Sequence, residues 1–92
     1  MSQQSFEKDP DERLDYDFDF ERWLPDGDSV DSAVAEIAGT TAVIDQIDTS
    51  STAIKVWVSG GTHQDNGTIT VRATTVQGRI KEVCARLKVR NC

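Results

Sequence analysis

The sequence predicts an all-β protein: a single antiparallel sandwich of six to seven short strands, preceded by an acidic arm that is flexible or extended. Three observations carry that prediction. Leu14, Tyr16, Phe18 and Phe20 alternate with Asp15, Asp17 and Asp19, and a period of two sets the two groups on opposite faces of a strand. Turn-forming clusters recur about every ten residues along the rest of the chain, among them Pro25-Asp26-Gly27, Gly39-Thr40-Thr41 and Gln77-Gly78-Arg79. No segment between those turns carries a secure apolar stripe at helical spacing.

Taken in order, residues 1–13 (MSQQSFEKDPDER) are polar and acidic, with Phe6 as their one aromatic. Such a stretch buries too little to offset its ordering cost, so alone it is expected to be a flexible arm, either an end with no role or an extended arm that becomes ordered against a neighbouring protein. Residues 14–92 are expected to form the sandwich. Leu14 to Phe20 is the first predicted strand, and Trp23-Leu24 a short apolar plug at one end of the core. Ser29 to Ile37 is compatible with both periods: Val30, Val34 and Ile37 fit a helix, while Val30, Ser32 and Val34 alternate. Nine residues between turns favour the strand.

Ala42 to Ile47 reads as a further strand. In Ala53 to Val58, Ile54, Val56 and Val58 share one face and Lys55 and Trp57 the other, which leaves Trp57 half exposed or covered by a partner. Ser59-Gly60-Gly61-Thr62 breaks that strand, and Asn66-Gly67 is expected to supply positive φ for a tight reversal. Thr68 to Thr75 has the pattern of a strand with one wet face. Ile80 to Arg90 closes the sheet, with Val83, Ala85, Leu87 and Val89 inward and Cys84, Arg86, Lys88 and Arg90 outward.

Ninety-two residues make one domain with a modest core, and a deep catalytic cleft is not expected. The net charge of −6 is unevenly spread: residues 1–31 hold eleven acids against Lys8, Arg13 and Arg22, while residues 32–92 hold five acids against seven bases. That balance argues for a complementary protein surface as partner and against nucleic acid. No apolar run approaches the roughly 20 residues needed to span a bilayer, and the N-terminus lacks the regions of a signal peptide, so neither a membrane partner nor secretion is expected.

The acidic ladder invites a calcium reading, but same-face carboxylates on a strand stand about 6.5–7 Å apart, too far to share one ion unaided. A calcium- or glycan-dependent surface module, built on that ladder and the His63 loop, remains the alternative from a different class. Catalysis has no basis in the inventory: His63 is the sole imidazole and no serine or cysteine is tied to it. Gly60-Gly61-Thr62 lacks the Gly-Lys-Ser/Thr ending of a phosphate loop. Two cysteines and one histidine do not close a zinc site. No enzyme, metal or cofactor is expected.

One ordered combination of motifs adds to this reading. Lys8-Asp9-Pro10-Asp11-Glu12 is followed by Leu14-Asp15-Tyr16, Trp23-Leu24, Gly27-Asp28-Ser29-Val30, Val56-Trp57-Val58-Ser59-Gly60-Gly61-Thr62, Val71 through Thr75, Gly78-Arg79 and Leu87-Lys88-Val89-Arg90. Over residues 7 to 90 the chain resembles the small fibre-tail adaptor family of tailed bacteriophages and prophages. The resemblance implies an immunoglobulin-like sandwich and a virion structural protein at the junction of tail or neck with fibres, assembled in the bacterial cytoplasm. Head decoration or head–tail completion is the alternative station. The partners implied are other phage structural proteins, with several copies in the particle. Phe6, Asp9, Pro10, Asp11 and Glu12 would then form one contact, and Trp57 with Gly60, Gly61, Thr62 and His63 a second. The loop through His63-Gln64-Asp65-Asn66-Gly67 and the Ala-rich second strand depart from the family pattern, which bears on partner choice.

Overall fold

The structure, a computed structural model, describes residues 4–91. Among the described residues, seven strands and no helix fold into two sheets: β1 (Gln4–Lys8), β2 (Arg13–Asp19), β3 (Val30–Ala38), β4 (Val43–Thr49), β5 (Ala53–Ser59), β6 (Asn66–Thr75) and β7 (Ile80–Val89). One sheet has the order β1-β7-β6-β3 and the other β2-β5-β4. All pairings are antiparallel except β1 with β7, which is parallel. The arrangement is consistent with an immunoglobulin-type sandwich, in which the second, fifth and fourth strands face the third, sixth and seventh.

The alternation read in the sequence builds the core. Tyr16, Phe18 and Phe20 meet Ile54, Val56 and Val58 from β5, Ile69, Val71 and Ala73 from β6, and Ala85, Leu87 and Val89 from β7. All are buried, and each of the larger ones contributes about 1.5–3 kcal/mol before ordering costs. Trp23 packs on the edge of this core, its ring 6.4 Å from that of Phe20 in a T-shaped contact.

Three local expectations are corrected. Residues 4–8 are extended but not a separate arm: β1 lies in register along β7, Gln4 opposite Ala85 and Lys8 opposite Val89. Phe6 supplies the reason, since its ring stacks on Tyr16 at 4.3 Å and meets Phe18 edge-on at 5.7 Å. Of the rest of the expected arm, residues 9–12 form the turn to β2 and Arg13 opens that strand, while residues 1–3 lie outside the described residues. In β3 the pairing shifts register between Val30 and Ser32. A bulge inverts the faces beyond it, so Ala33, Ala35 and Ile37 pack toward the core while Val34 is exposed.

Finally, Asn66-Gly67 does not reverse the chain but begins β6. The reversal is made earlier, at Gly60 and Gly61 with φ of 77° and 105° and at Gln64 with φ of 74°. Gly67 is needed for closeness instead: a Cβ there would stand 2.6 Å from Thr40 Cγ2.

Candidate functional site

The acidic turn after β1 and the loop after β5 are far apart in sequence and adjacent in space. Pro10 sits in a four-residue turn between β1 and β2 that is closed by its own side chains. The Asp9 N–H donates to Glu12 Oε1 at 2.7 Å, the Glu12 N–H to the Asp9 carbonyl at 3.0 Å, and the Asp11 N–H to Asp9 Oδ1 at 2.9 Å. Lys8 ties this turn to the other loop. Its side chain is 2% exposed, and Nζ donates to the Asp9 carbonyl at 2.7 Å and to the Gly60 carbonyl, 52 positions away, at 2.5 Å. A buried ammonium is tolerable only when its protons are accepted in this way. Gly61 presses against the end of β7, where a Cβ would come within 3.0 Å of Val89 Cγ2.

Asp65 fixes the rest of this end. One oxygen, Oδ2, accepts from the Thr40 hydroxyl at 2.8 Å, the Thr41 N–H at 3.1 Å, the Thr41 hydroxyl at 3.1 Å and the Thr62 N–H at 3.0 Å. Donation from the Thr41 N–H, the Thr40 hydroxyl and the Thr62 N–H holds the carboxyl at about 2, below the usual carboxylate range. The turn is reciprocal, because the Asp65 N–H returns a bond to the Thr62 carbonyl at 2.9 Å. His63 joins it to the chain's last stretch: Nδ1 accepts from the Asn91 N–H at 2.9 Å. Along the outside runs a groove of about 470 Å³ walled by Glu7, Asp9, Asp11, Glu12 and Arg90.

Trp57 stands apart, on the outer face of β5. The Arg13 guanidinium lies 4.4 Å from its ring centroid, and the indole N–H donates to Asp48 Oδ2 at 3.0 Å. Arg13 is itself gripped by Asp45, with bonds of 2.7, 3.0 and 3.1 Å to the two carboxylate oxygens. Asp45 is held below its ordinary range by those bonds, and Arg13 is raised by the same pair. The aromatic is therefore half-buried under a residue of its own chain.

At the opposite end Asp28 plays the part that Asp65 plays here. Its side chain is fully covered and accepts from the Ser29 N–H at 2.9 Å, the Gln77 N–H at 3.1 Å and Arg79 Nη1 at 2.9 Å. Burial would raise its pKa, but the donors, including the Thr75 hydroxyl, outweigh that and lower it.

Of the residues expected to contact a partner, Asp9, Pro10, Asp11, Glu12, Gly60, Gly61, Thr62 and His63 share one end of the sandwich, Phe6 is spent on its own core, and Trp57 lies on a sheet face. Lys8, Arg13, Asp28 and Asp65 were not singled out. For Asp65 a signal existed: Thr62-x-x-Asp65 is a reciprocal side-chain and backbone turn of the kind that closes helix starts.

Hydrogen-bonded loops at the ends and charged sheet faces define a small β-sandwich; among the described residues, no group of three His, Cys, Asp or Glu is placed to hold a metal. A family model described as podophage GP4 fiber-tail adaptor protein gp77 matches residues 8–88. The chain belongs to that family and is a phage structural protein of the fibre-tail adaptor type. No match is found among curated proteins.

Proposed function

We propose that the protein is a non-enzymatic adaptor that joins tail or neck to fibres through protein–protein contacts, and that it receives a basic segment of one partner at the end formed by residues 9–12 and 60–65. The observation that carries this reading is the groove in which four acids, Glu7, Asp9, Asp11 and Glu12, outnumber Arg90 and the Lys8 ammonium, itself committed to two carbonyls. The hydrogen bonds of the Asp9–Glu12 turn and the Lys8 link to Gly60 keep its walls in place before a partner arrives. A preformed site loses less ordering entropy on binding.

The test is incorporation into particles. Glu7→Lys with Asp11→Lys reverses two exposed groove charges without touching the turn's own bonds. Purified virions should carry about tenfold less of the variant, as expected for a loss near 1.4 kcal/mol, and should have lost fibres in proportion. Normal incorporation of the variant refutes the groove as a docking site. Particles that keep their fibres but leak DNA would place the protein at the head–tail joint instead.

A further inference from the structure

The two outer faces of the sandwich carry charge ladders of equal spacing and opposite sign. On β2, Asp15, Asp17 and Asp19 face outward and are exposed, two residues apart. On the other sheet, Arg86 and Lys88 of β7 and the following Arg90 are exposed at the same interval. Successive rungs on a strand stand about 6.5–7 Å apart, so the ladders match rung for rung.

Among the described residues few ion pairs engage either ladder, although Glu7 stands opposite Lys88, Lys55 stands opposite Asp17, and Arg90 borders the acidic groove. Lys55 reaches Asp15 at 3.4 Å, but among the described residues Asp17, Arg86, Lys88 and Arg90 enter no ion pair. Asp45 and Asp48 of β4 add to the acidic side, against Arg13 and Lys55. Each ladder also borders a shallow hollow. One of about 280 Å³ is lined by Asp17, Asp48 and Lys55, and one of about 270 Å³ by Thr68, Arg86 and Lys88. The ladders lie on opposite sheets with the core between them, so they cannot meet within one copy.

We propose that they meet between copies: the β2 ladder of one molecule docks on the β7 ladder of the next, with the long Arg86 and Lys88 side chains entering the hollow beside Asp17. Complementary charge fixes the register and disfavours the like-with-like alternatives. The contact is heterologous, leaving one ladder unused at each end, so copies add head to tail into rows or rings. Glu7 and Glu82 on the face that carries the basic ladder make nucleic acid a poor substitute occupant. The inference does not depend on the groove proposed above.

Two variants test it. One carries Asp17→Lys and Asp19→Asn, the asparagine keeping a carbonyl for the Glu21 N–H that Asp19 accepts. The other carries Arg86→Glu and Lys88→Glu. All four positions are exposed, and thermal melts verify that both variants fold. Sedimentation is run at about 1 mM protein, enough to populate a millimolar Kd, and about 20 mM salt, where screening is weak. The unaltered chain should sediment well above its 10.2 kDa monomer mass and return to monomer at about 1 M salt. Each variant alone should be monomeric. Their equimolar mixture should form a species of twice the monomer mass and nothing larger, because each supplies the ladder that the other lacks. A monomer at low salt overturns the proposal. So does association that survives either reversal, or variants that fail to pair on mixing.

Discussion

Replacing Gly67 with alanine puts a methyl group where the structure has no room for one. The added Cβ would lie 2.6 Å from Thr40 Cγ2, 3.0 Å from the Ala38 carbonyl oxygen and 3.1 Å from Thr40 Cβ. Gly67 is buried and its φ is not positive, so the cost is crowding and not backbone strain. Overpacking of this kind costs about 1–3 kcal/mol. Restricting the unfolded chain returns about 0.4–1 kcal/mol, so a cost at the upper end of the overpacking range, as a 2.6 Å approach implies, leaves a net loss of about 2–2.6 kcal/mol. At roughly 4–8 °C per kcal/mol for a domain of this size, the midpoint of thermal unfolding should fall by about 8–20 °C.

The second half of the experiment identifies the clash. Thr40→Ser deletes Cγ2 but keeps the hydroxyl that donates to Asp65 and accepts from the Ala42 N–H at 3.1 Å. In that background Gly67→Ala should cost no more than about half as much, a coupling that a double-mutant cycle in urea measures directly. If Gly67→Ala lies within about 0.5 kcal/mol of the parent, or if its cost is unchanged in the Thr40→Ser background, the close approach of the β3–β4 connection to β6 is wrong.

Two further outcomes are expected. Tyr16 is the sole tyrosine. Burial first, then the nearby Glu12 and Asp15 charges, push its phenol up to about 12, so tyrosinate absorbance should titrate near that value. The folded state stays protonated where the unfolded chain ionises, so stability should decline from pH 10 to 12, and Tyr16→Phe should remove that decline; a midpoint near 10 would contradict the burial. For Asp65 the sign is opposite: with its folded value held at about 2, the stability it contributes is complete above about pH 4 and is lost as pH falls toward 2, and Asp65→Asn should flatten that part of the acid denaturation curve.

The strands that could be read from sequence are those whose side chains answer to one local rule. β2, β5, β6 and the inward half of β7 alternate cleanly, and each buries the face that alternation assigns. β3 follows the same rule only after a bulge, which no composition signal marks, so Val34, in step with the buried Val30 in the sequence, ends on the exposed face. β1 offers one aromatic in five residues and ends in a lysine. Its burial depends on the Gly60 carbonyl, a partner that no local window contains. Asn66-Gly67 has turn chemistry in isolation, but the tertiary demand for a residue without a side chain beside Thr40 outranked it.

The candidate site follows the same division. The acidic character of residues 9–12 and the glycine break at residues 60–61 were visible, whereas their adjacency depends on the parallel β1–β7 pairing. Trp57 was recognised as facing outward, but its cover is Arg13, whose role is set by Asp45 across the sheet.

That parallel pairing also ties together distant parts of the chain. β1 is matched, residue by residue, with β7, each partner standing 81 positions further along, and closing so long a loop costs entropy that only the completed contact offsets. Phe6, laid along β7, covers the rings of Tyr16 and Phe18, so the aromatic part of the core and the union of the two most distant strands stand or fall together.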